Sequence, residues 1–113
     1  VWLMSADKFQ IEQEELEKSI QLHIRGELDL AAAQTFRQAL EAVVHREDKA
    51  LILNLSQLTY IDSTGIGMVV SALKIRDELK APLSVQHIPS TIRKLFDLTG
   101  ISAFLNEGIE GTA

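Results

Sequence analysis

Cysteine is absent from this chain of 113 residues, and so is any long apolar run. Without cysteine there is no disulfide framework, no thiolate nucleophile and no zinc site built on thiolates. No apolar segment approaches the roughly 18 to 20 residues that a membrane span needs, and the N-terminus lacks the pattern of a signal peptide. Repeats, linkers and low-complexity segments are also lacking. These absences predict a small soluble module of the cytoplasm, with no direct membrane insertion.

Basic residues are fewer than acidic ones: the chain has 11 Lys and Arg residues and 16 Asp and Glu residues, which gives a net charge of −5. This balance argues against non-specific binding of nucleic acid and against docking on an anionic membrane. A hydrophobic content of 46% is ordinary for a globular protein, and the length suits one core without staples. We expect one domain over residues 1–113, with its core at about 9–105. Val1, with Met4 close behind, is compatible with vector-derived residues or a cut from a longer chain.

The first part of the core alternates apolar and polar residues in two segments, 9–12 and 20–25. This period of two predicts an antiparallel hairpin with one buried face. The acidic stretch 13–18 between them is interpreted as a solvated turn. Asp29 then follows as a candidate cap for a helix, whose apolar stripe would be Ala33, Phe36, Leu40 and Val43.

The second part predicts two further strands and two further helices. The apolar run 50–55 is typical of a strand covered on both faces. A helix to about Lys80 follows, and residues 83–88 form the next strand. Pro89 would open the last helix and Gly100 would cap its end in a left-handed conformation. The predicted inner faces of these two helices are Ile66, Val69, Val70 and Leu73, and then Ile92, Leu95, Phe96 and Thr99. Residues 101–105 would add a last short strand.

This order of elements, β-β-α-β-α-β-α-(β), predicts an α/β fold. We expect a single domain with a mixed β-sheet of four to five strands and about three to four helices.

The groups that catalysis requires are missing. Ser63 lacks the Gly-x-Ser-x-Gly elbow of the α/β-hydrolases. The three histidines, at positions 23, 45 and 87, have no metal-ligand spacing to another histidine or a carboxylate. Gly65 and Gly67 lack the third glycine of a dinucleotide loop, and no P-loop is present. The sequence therefore predicts a protein that is not an enzyme, with no cofactor and no metal.

The most informative segment is Asp62-Ser63-Thr64-Gly65, between the predicted central strand and the helix after it. Short polar residues cap helices, so the segment could be a plain helix start. Two features favour a binding or modification site over a plain helix start. Three capping residues stand where one would suffice, and both Gly65 and Gly67 fall near the first turn, where each costs about 1 kcal/mol relative to Ala. Glycine at these positions would expose the backbone and allow another molecule to approach it closely.

A phosphate on Ser63 would suit this position. It would bring about −1.5 to −2 charges to the positive end of a helix dipole. The domain itself should tolerate that charge, with some repulsion from Asp62. An interface centred on Ser63 should not tolerate it, because a desolvated and unpaired phosphate is costly.

Four segments, in order, resemble STAS domains, and in particular the small stand-alone bacterial anti-sigma-factor antagonists. The resemblance covers about residues 9 to 105, nearly the whole chain. It departs in residues 106–111, which are glycine-broken where family members often have a substantial C-terminal helix. The matching segments are Gly26-Glu27-Leu28-Asp29, Leu53-Asn54-Leu55, Tyr60-Ile61-Asp62-Ser63-Thr64-Gly65-Ile66-Gly67, and Ile88-Pro89 with Arg93-Lys94-Leu95-Phe96-Asp97-Leu98-Thr99-Gly100.

The resemblance implies a partner switch in sigma-factor regulation, of the kind that controls stress response or sporulation. The unphosphorylated antagonist binds an anti-sigma factor that is itself a serine/threonine kinase, and so frees a sigma factor. The kinase phosphorylates the serine after the motif's aspartate, here Ser63, with Thr64 as second choice, and a metal-dependent serine phosphatase restores the binding form. The docking surface implied for this chain comprises Asp29, Asp62, Ser63, Thr64, Gly65, Ile66 and Gly67.

Three alternatives stay open at this point. A STAS module of a membrane transporter is the first, either as an anion carrier's cytoplasmic tail or as the soluble subunit of a lipid-transport ATPase. A nucleotide-binding module is weaker without a P-loop. A hydrolase comes last, because no base is evident near Ser63.

Overall fold

The protein is described here by a computed structural model covering residues 2–6 and 8–104. Five strands form one sheet in sequential order: β1 (Trp2–Ala6), β2 (Phe9–Glu15), β3 (Ser19–Leu28), β4 (Ala50–Ile61) and β5 (Leu83–Gln86). The first three are antiparallel neighbours, whereas β3, β4 and β5 run parallel. The helices are α1 (Ala33–Glu41), α2 (Ser63–Glu78) and α3 (Ser90–Thr99). The predicted mixed α/β sheet is confirmed, and β1 is an additional strand that the sequence analysis treated as peripheral.

One face of the sheet carries the core. Successive parallel strands are neighbours, and right-handed crossovers therefore place α1 and α2 on the same face. Leu51 and Leu53 of β4 are buried toward these helices, whereas Ile52 and Asn54 between them are only half-buried. The expectation that residues 50–55 are covered on both faces is therefore wrong. The apolar run misled because Ile52 lies on the less covered face, where its register partner in β3 is the half-buried polar Gln21.

The first helix begins as predicted and ends earlier. Asp29 caps a short 3₁₀ turn at Leu30–Ala32 that leads into α1. The helix ends at Glu41, and residues 42–45 form a turn. The inner face is confirmed, because its four apolar residues are all buried, and the Phe36 ring meets Phe9 edge to face at 6.2 Å. The buried residues of this stripe are Ala33, Phe36, Leu40 and Val43.

The buried face of α2 lies beside the predicted one. Gly65, Val69, Ala72 and Arg76 are buried, at helical spacing of three and four. Of the predicted face only Val69 is fully buried, and Ile66, Val70 and Leu73 pack against the core from its margin. The pattern was misread because the two ends of the true stripe are a glycine and an arginine.

Arg76 is a charged residue within the core. Burial lowers the pKa of its guanidinium, while the charges of Glu47 and Asp48 act in the opposite direction. Its Nη1 donates to the carbonyl oxygens of Val44 and Arg46, and its Nη2 donates to those of Lys49 and Pro82, at 2.6–3.2 Å. The guanidinium therefore joins α2 to the segment between α1 and β4 and to the entry of β5.

The end of the described chain differs from expectation in two places. Thr99 is exposed instead of lying on the inner face of α3, and its hydroxyl donates to the Leu95 carbonyl oxygen. Gly100 has φ +80° and caps α3 as predicted. Residues Ile101–Phe104 form a 3₁₀ turn, so the strand predicted there is wrong as far as Phe104. Leu105 and the departure at residues 106–111 lie outside the described residues.

Half of the predicted acidic turn is strand. β2 extends to Glu15, so only the residues from Leu16 to Lys18 connect it to β3. Three glutamates of β2 contact cationic or imidazole side chains. The register of the sheet and the loop before β4 place these side chains next to each other. The pairs are Glu12–Arg25 at 3.3 Å, Glu14–His23 at 3.1 Å, Glu15–Arg46 at 3.1 Å and Glu15–Lys49 at 2.7 Å. Hydrogen bonds from Arg46 and Lys49 lower the pKa of Glu15 to about 2.

No helix within residues 2–6 and 8–104 is long and apolar enough to span a membrane.

Candidate functional site

The site forms where β4 ends and α2 begins. Asp62 has an extended backbone, with φ −107° and ψ −175°, and its Oδ1 accepts from the backbone N–H of Gly65 at 3.1 Å. Its own carbonyl oxygen accepts from the N–H of Ile66 at 2.9 Å. Asp62 therefore satisfies one of the orphan donors of the first turn by itself. In the described residues, Asp62 is the side chain that caps the start of α2.

Ser63 and Thr64 are the first two residues of α2. Ser63 is exposed and Thr64 is half-buried. No other group in the described part of the chain forms a hydrogen bond with the hydroxyl of either residue. The hydroxyl of Ser63 is therefore both accessible and dispensable for the cap, as a modification site requires.

The two glycines of the junction have different roles. Gly65 is buried, and a Cβ built on it would lie 2.7 Å from the Leu28 carbonyl oxygen and 2.8 Å from Ile61 Cγ1. Gly67 is exposed, and a Cβ there would meet nothing within 4 Å. The expectation that glycine bares backbone to another molecule is thus wrong for Gly65. Its lack of a side chain lets α2 approach the ends of β3 and β4 within the domain itself.

A second capped turn lies beside the first. Leu28 and Ile61 are register partners at the ends of β3 and β4, and the N–H of Asp62 donates to the Leu28 carbonyl oxygen at 3.3 Å. Asp29 follows Leu28 directly, and its Oδ1 accepts from the N–H of Ala32 at 3.1 Å. The structure thus brings the predicted Asp29 to the same edge of the sheet as Asp62. Ile66 is half-buried and packs against the core behind this edge.

Two residues at this edge were not among the predicted contact residues. Leu30 is 73% exposed and Tyr60 is 48% exposed, and neither side chain packs against the core. The available signal was their position in the sequence, because each lies one or two residues from a capping aspartate.

Outside the junction, the described part of the chain presents few groups suited to catalysis or metal binding. No cluster of three or more potential metal ligands occurs in residues 2–6 and 8–104. His45 lies in the turn after α1, and His87 follows β5 with φ +57°. An open groove of about 200 Å³ lies between α1 and α2, floored by Leu40, Val44, Met68 and Ala72. None of the predicted site residues lines it. What the junction offers chemically is a free hydroxyl on an exposed helix start.

Comparison with known proteins agrees with this fold. A family model described as "Mlab, STAS domain" matches residues 11–106. The anti-sigma-B factor antagonist of Listeria monocytogenes is 30% identical over 93 residues, which cover 81% of this chain and 82% of that protein. An anti-sigma factor antagonist from Mycobacterium paratuberculosis has a similar structure, with a TM-score of 0.77 and 22% identity over 91% of this chain and 88% of the other. SpoIIAA of Bacillus in its phosphorylated form gives a TM-score of 0.66 at 20% identity, covering 91% and 99%.

The family match spans most of the core, and the Listeria relative extends over four-fifths of both chains. The fold, its order of elements and its capped junctions lead to the same assignment. The chain belongs to the STAS-domain family.

Proposed function

We propose that the protein is an anti-sigma-factor antagonist, switched off by phosphorylation of Ser63, with Thr64 as the second-choice acceptor. One observation carries the choice of residue: Ser63 is exposed at the first position of α2, while Asp62 alone caps the helix. The name of the Listeria relative, together with the coverage of both chains, supports the antagonist role. The existence of a phosphorylated form of SpoIIAA, a protein of this fold, is consistent with the switch.

In this proposal the unphosphorylated chain acts in the cytoplasm and binds an anti-sigma factor that is also a serine kinase, so that a sigma factor is released for transcription. The docking surface is the edge defined by Asp29, Asp62, Ser63, Thr64, Gly65, Ile66 and Gly67. Within it Gly65 acts indirectly, because it is buried and sets how closely α2 lies against Leu28. The chain performs no catalysis. It is bound by the kinase and is also its substrate.

The switching step is a phosphoryl transfer from ATP. The Ser63 Oγ attacks the γ-phosphorus, the bond to the β,γ-bridging oxygen breaks, and ADP leaves while the hydroxyl proton passes to a base of the kinase. A serine phosphatase later hydrolyses the Ser63 phosphate to restore the hydroxyl. Both reactions need a Ser63 side chain that is reachable from solvent, which its exposure provides.

The phosphate acts on the interface and leaves the fold intact. Its charge of about −1.5 to −2 lies at the positive end of the α2 dipole, which offsets repulsion from the Asp62 carboxylate. Ser63 makes no contribution to the buried core. Beneath a bound partner, by contrast, the same phosphate loses its water without gaining a counter-charge, and binding is lost.

The test is a pull-down from the native host's lysate with three baits: wild type, Ser63→Asp and Ser90→Asp. Ser90 is a matched control, because it is also an exposed serine at the first residue of a helix. We expect a small ATP-binding serine kinase with wild type and with Ser90→Asp, and its loss with Ser63→Asp. Circular dichroism should show all three chains folded. Recovery of a transporter or its ATPase subunit, indifferent to Ser63→Asp, would contradict the proposal and favour the transport class.

A further inference from the structure

Two large apolar side chains are exposed beside the switch serine. Leu30 is 73% exposed in the 3₁₀ turn after β3, and Tyr60 is 48% exposed near the end of β4. Neither serves the core of the domain. Tyr60 is aligned with Glu27, and the next register pair along the same strands is Leu28 with Ile61.

Both side chains are tied to Ser63 by short lengths of backbone. Leu30 is two residues from Leu28, and Tyr60 is one residue from Ile61, so each lies within one or two Cα steps of about 3.8 Å from the joined strand ends. The hydrogen bond from the Asp62 N–H to the Leu28 carbonyl oxygen fixes these ends together. Leu30, Tyr60 and Ser63 therefore occupy one continuous edge of the sheet.

We propose that Leu30 and Tyr60 are the apolar anchors of the docking surface around Ser63, and that the partner they bind is the anti-sigma kinase. This inference rests on the proposed function, and it adds the residues that supply affinity. Tyrosine is enriched among the residues that dominate binding energy, because a ring buried at an interface removes much apolar area from water. The kinase is the expected occupant because a partner that contacts Ser63 must cover the same edge of the sheet.

The anchors also explain why one phosphate suffices to block binding. A polar, water-filled interface would leave the phosphate hydrated, and the penalty would be small. Apolar side chains at the same edge of the sheet as Ser63 exclude water when the partner binds, so the phosphate would be desolvated. The affinity and the sensitivity to phosphorylation should therefore depend on the same two side chains.

The experiment measures the affinity of the kinase recovered with wild-type bait for five purified variants by calorimetry. The variants are Leu30→Ala, Tyr60→Ala, Tyr60→Phe, the double alanine variant and Leu16→Ala, each with and without Ser63→Asp. Leu16 is the matched control, because it is 42% exposed and lies in the turn before β3, at the opposite end of that strand from Leu30. Thermal melts confirm that each chain is folded.

We expect Leu30→Ala and Tyr60→Ala each to weaken binding about tenfold or more, with Tyr60→Phe and Leu16→Ala close to wild type. The additional loss caused by Ser63→Asp should be about tenfold smaller in the double alanine variant than in wild type. If Ser63→Asp abolishes binding and both alanine variants bind like Leu16→Ala, the anchor proposal is overturned alone. If wild type recovers no kinase, or binds it regardless of Ser63→Asp, the proposed function fails and the anchors fail with it.

Discussion

Gly65 and Gly67 offer a test of how α2 is held against the sheet, because the same substitution should have opposite effects two residues apart. A methyl group at Gly65 would lie 2.7 Å from the Leu28 carbonyl oxygen and 2.8 Å from Leu28 Cγ. That carbonyl cannot easily move, because it also accepts from the Asp62 N–H. Overpacking of this kind costs about 1–3 kcal/mol, against which alanine regains about 0.5–1 kcal/mol of helix propensity.

We therefore expect Gly65→Ala to lower the free energy of unfolding by about 1 kcal/mol, and by no more than about 2.5 kcal/mol. Gly67→Ala meets nothing within 4 Å and should raise it by about 0.5–1 kcal/mol. For a domain of this size each 1 kcal/mol shifts the melting temperature by roughly 4–8 °C, so thermal melts and urea titrations resolve both changes. Gly65→Ala stabilising the protein as much as Gly67→Ala would refute the close approach of α2 to Leu28.

Two further predictions concern the opposite end of the sheet. Arg76→Met should lower the free energy of unfolding by about 2–4 kcal/mol in urea titrations, because carbonyl oxygens that accept from the guanidinium lose a donor; a loss below about 0.5 kcal/mol would contradict the assigned contacts. For Glu15, whose pKa is lowered to about 2, the ion pairs should stabilise the fold above the ordinary carboxyl pKa, with this contribution lost as pH falls through about 2. NMR titration of the Glu15 carboxyl should give a midpoint near 2 that rises in Arg46→Ala, and a wild-type midpoint near 4.5 would contradict the pairing.

Much of this fold could be predicted from hydrophobic periodicity. Alternation marked β2 and β3, the apolar run marked β4, and the stripe through Phe36 marked α1, because burial on one face imposes these periods. The periods report only that an apolar side chain is covered. They could not show that Ile52 lies on a less covered face of the sheet, since it is as apolar as its buried neighbours Leu51 and Leu53.

Arg76 was missed for a different reason. An arginine at helical spacing normally indicates a solvent-facing position, and its burial depends on carbonyl groups from Val44 to Pro82 that only the tertiary fold brings together. Likewise the partners of Glu15 lie more than 30 residues away in the sequence. Contacts of this kind leave no local pattern.

The junction was easier to predict from the sequence, because helix capping is a local interaction. Asp29 was predicted as a cap and Asp62 was one of three candidate capping residues, and both accept from a backbone N–H three residues on. What the sequence alone could not reveal was that Gly65 serves internal packing and Gly67 does not. That distinction depends on the distance between α2 and Leu28.

The central claim is that phosphorylation of Ser63 switches a partner off. The most direct measurement is the affinity of the recovered kinase for this chain before and after quantitative phosphorylation by that kinase with ATP, with the phosphosite located by mass spectrometry. We predict a single phosphate on Ser63 and a loss of affinity of at least about 100-fold, corresponding to a penalty of several kcal/mol for the desolvated phosphate. Equal affinity of the two forms, or a phosphate at a residue outside the junction, would contradict the account.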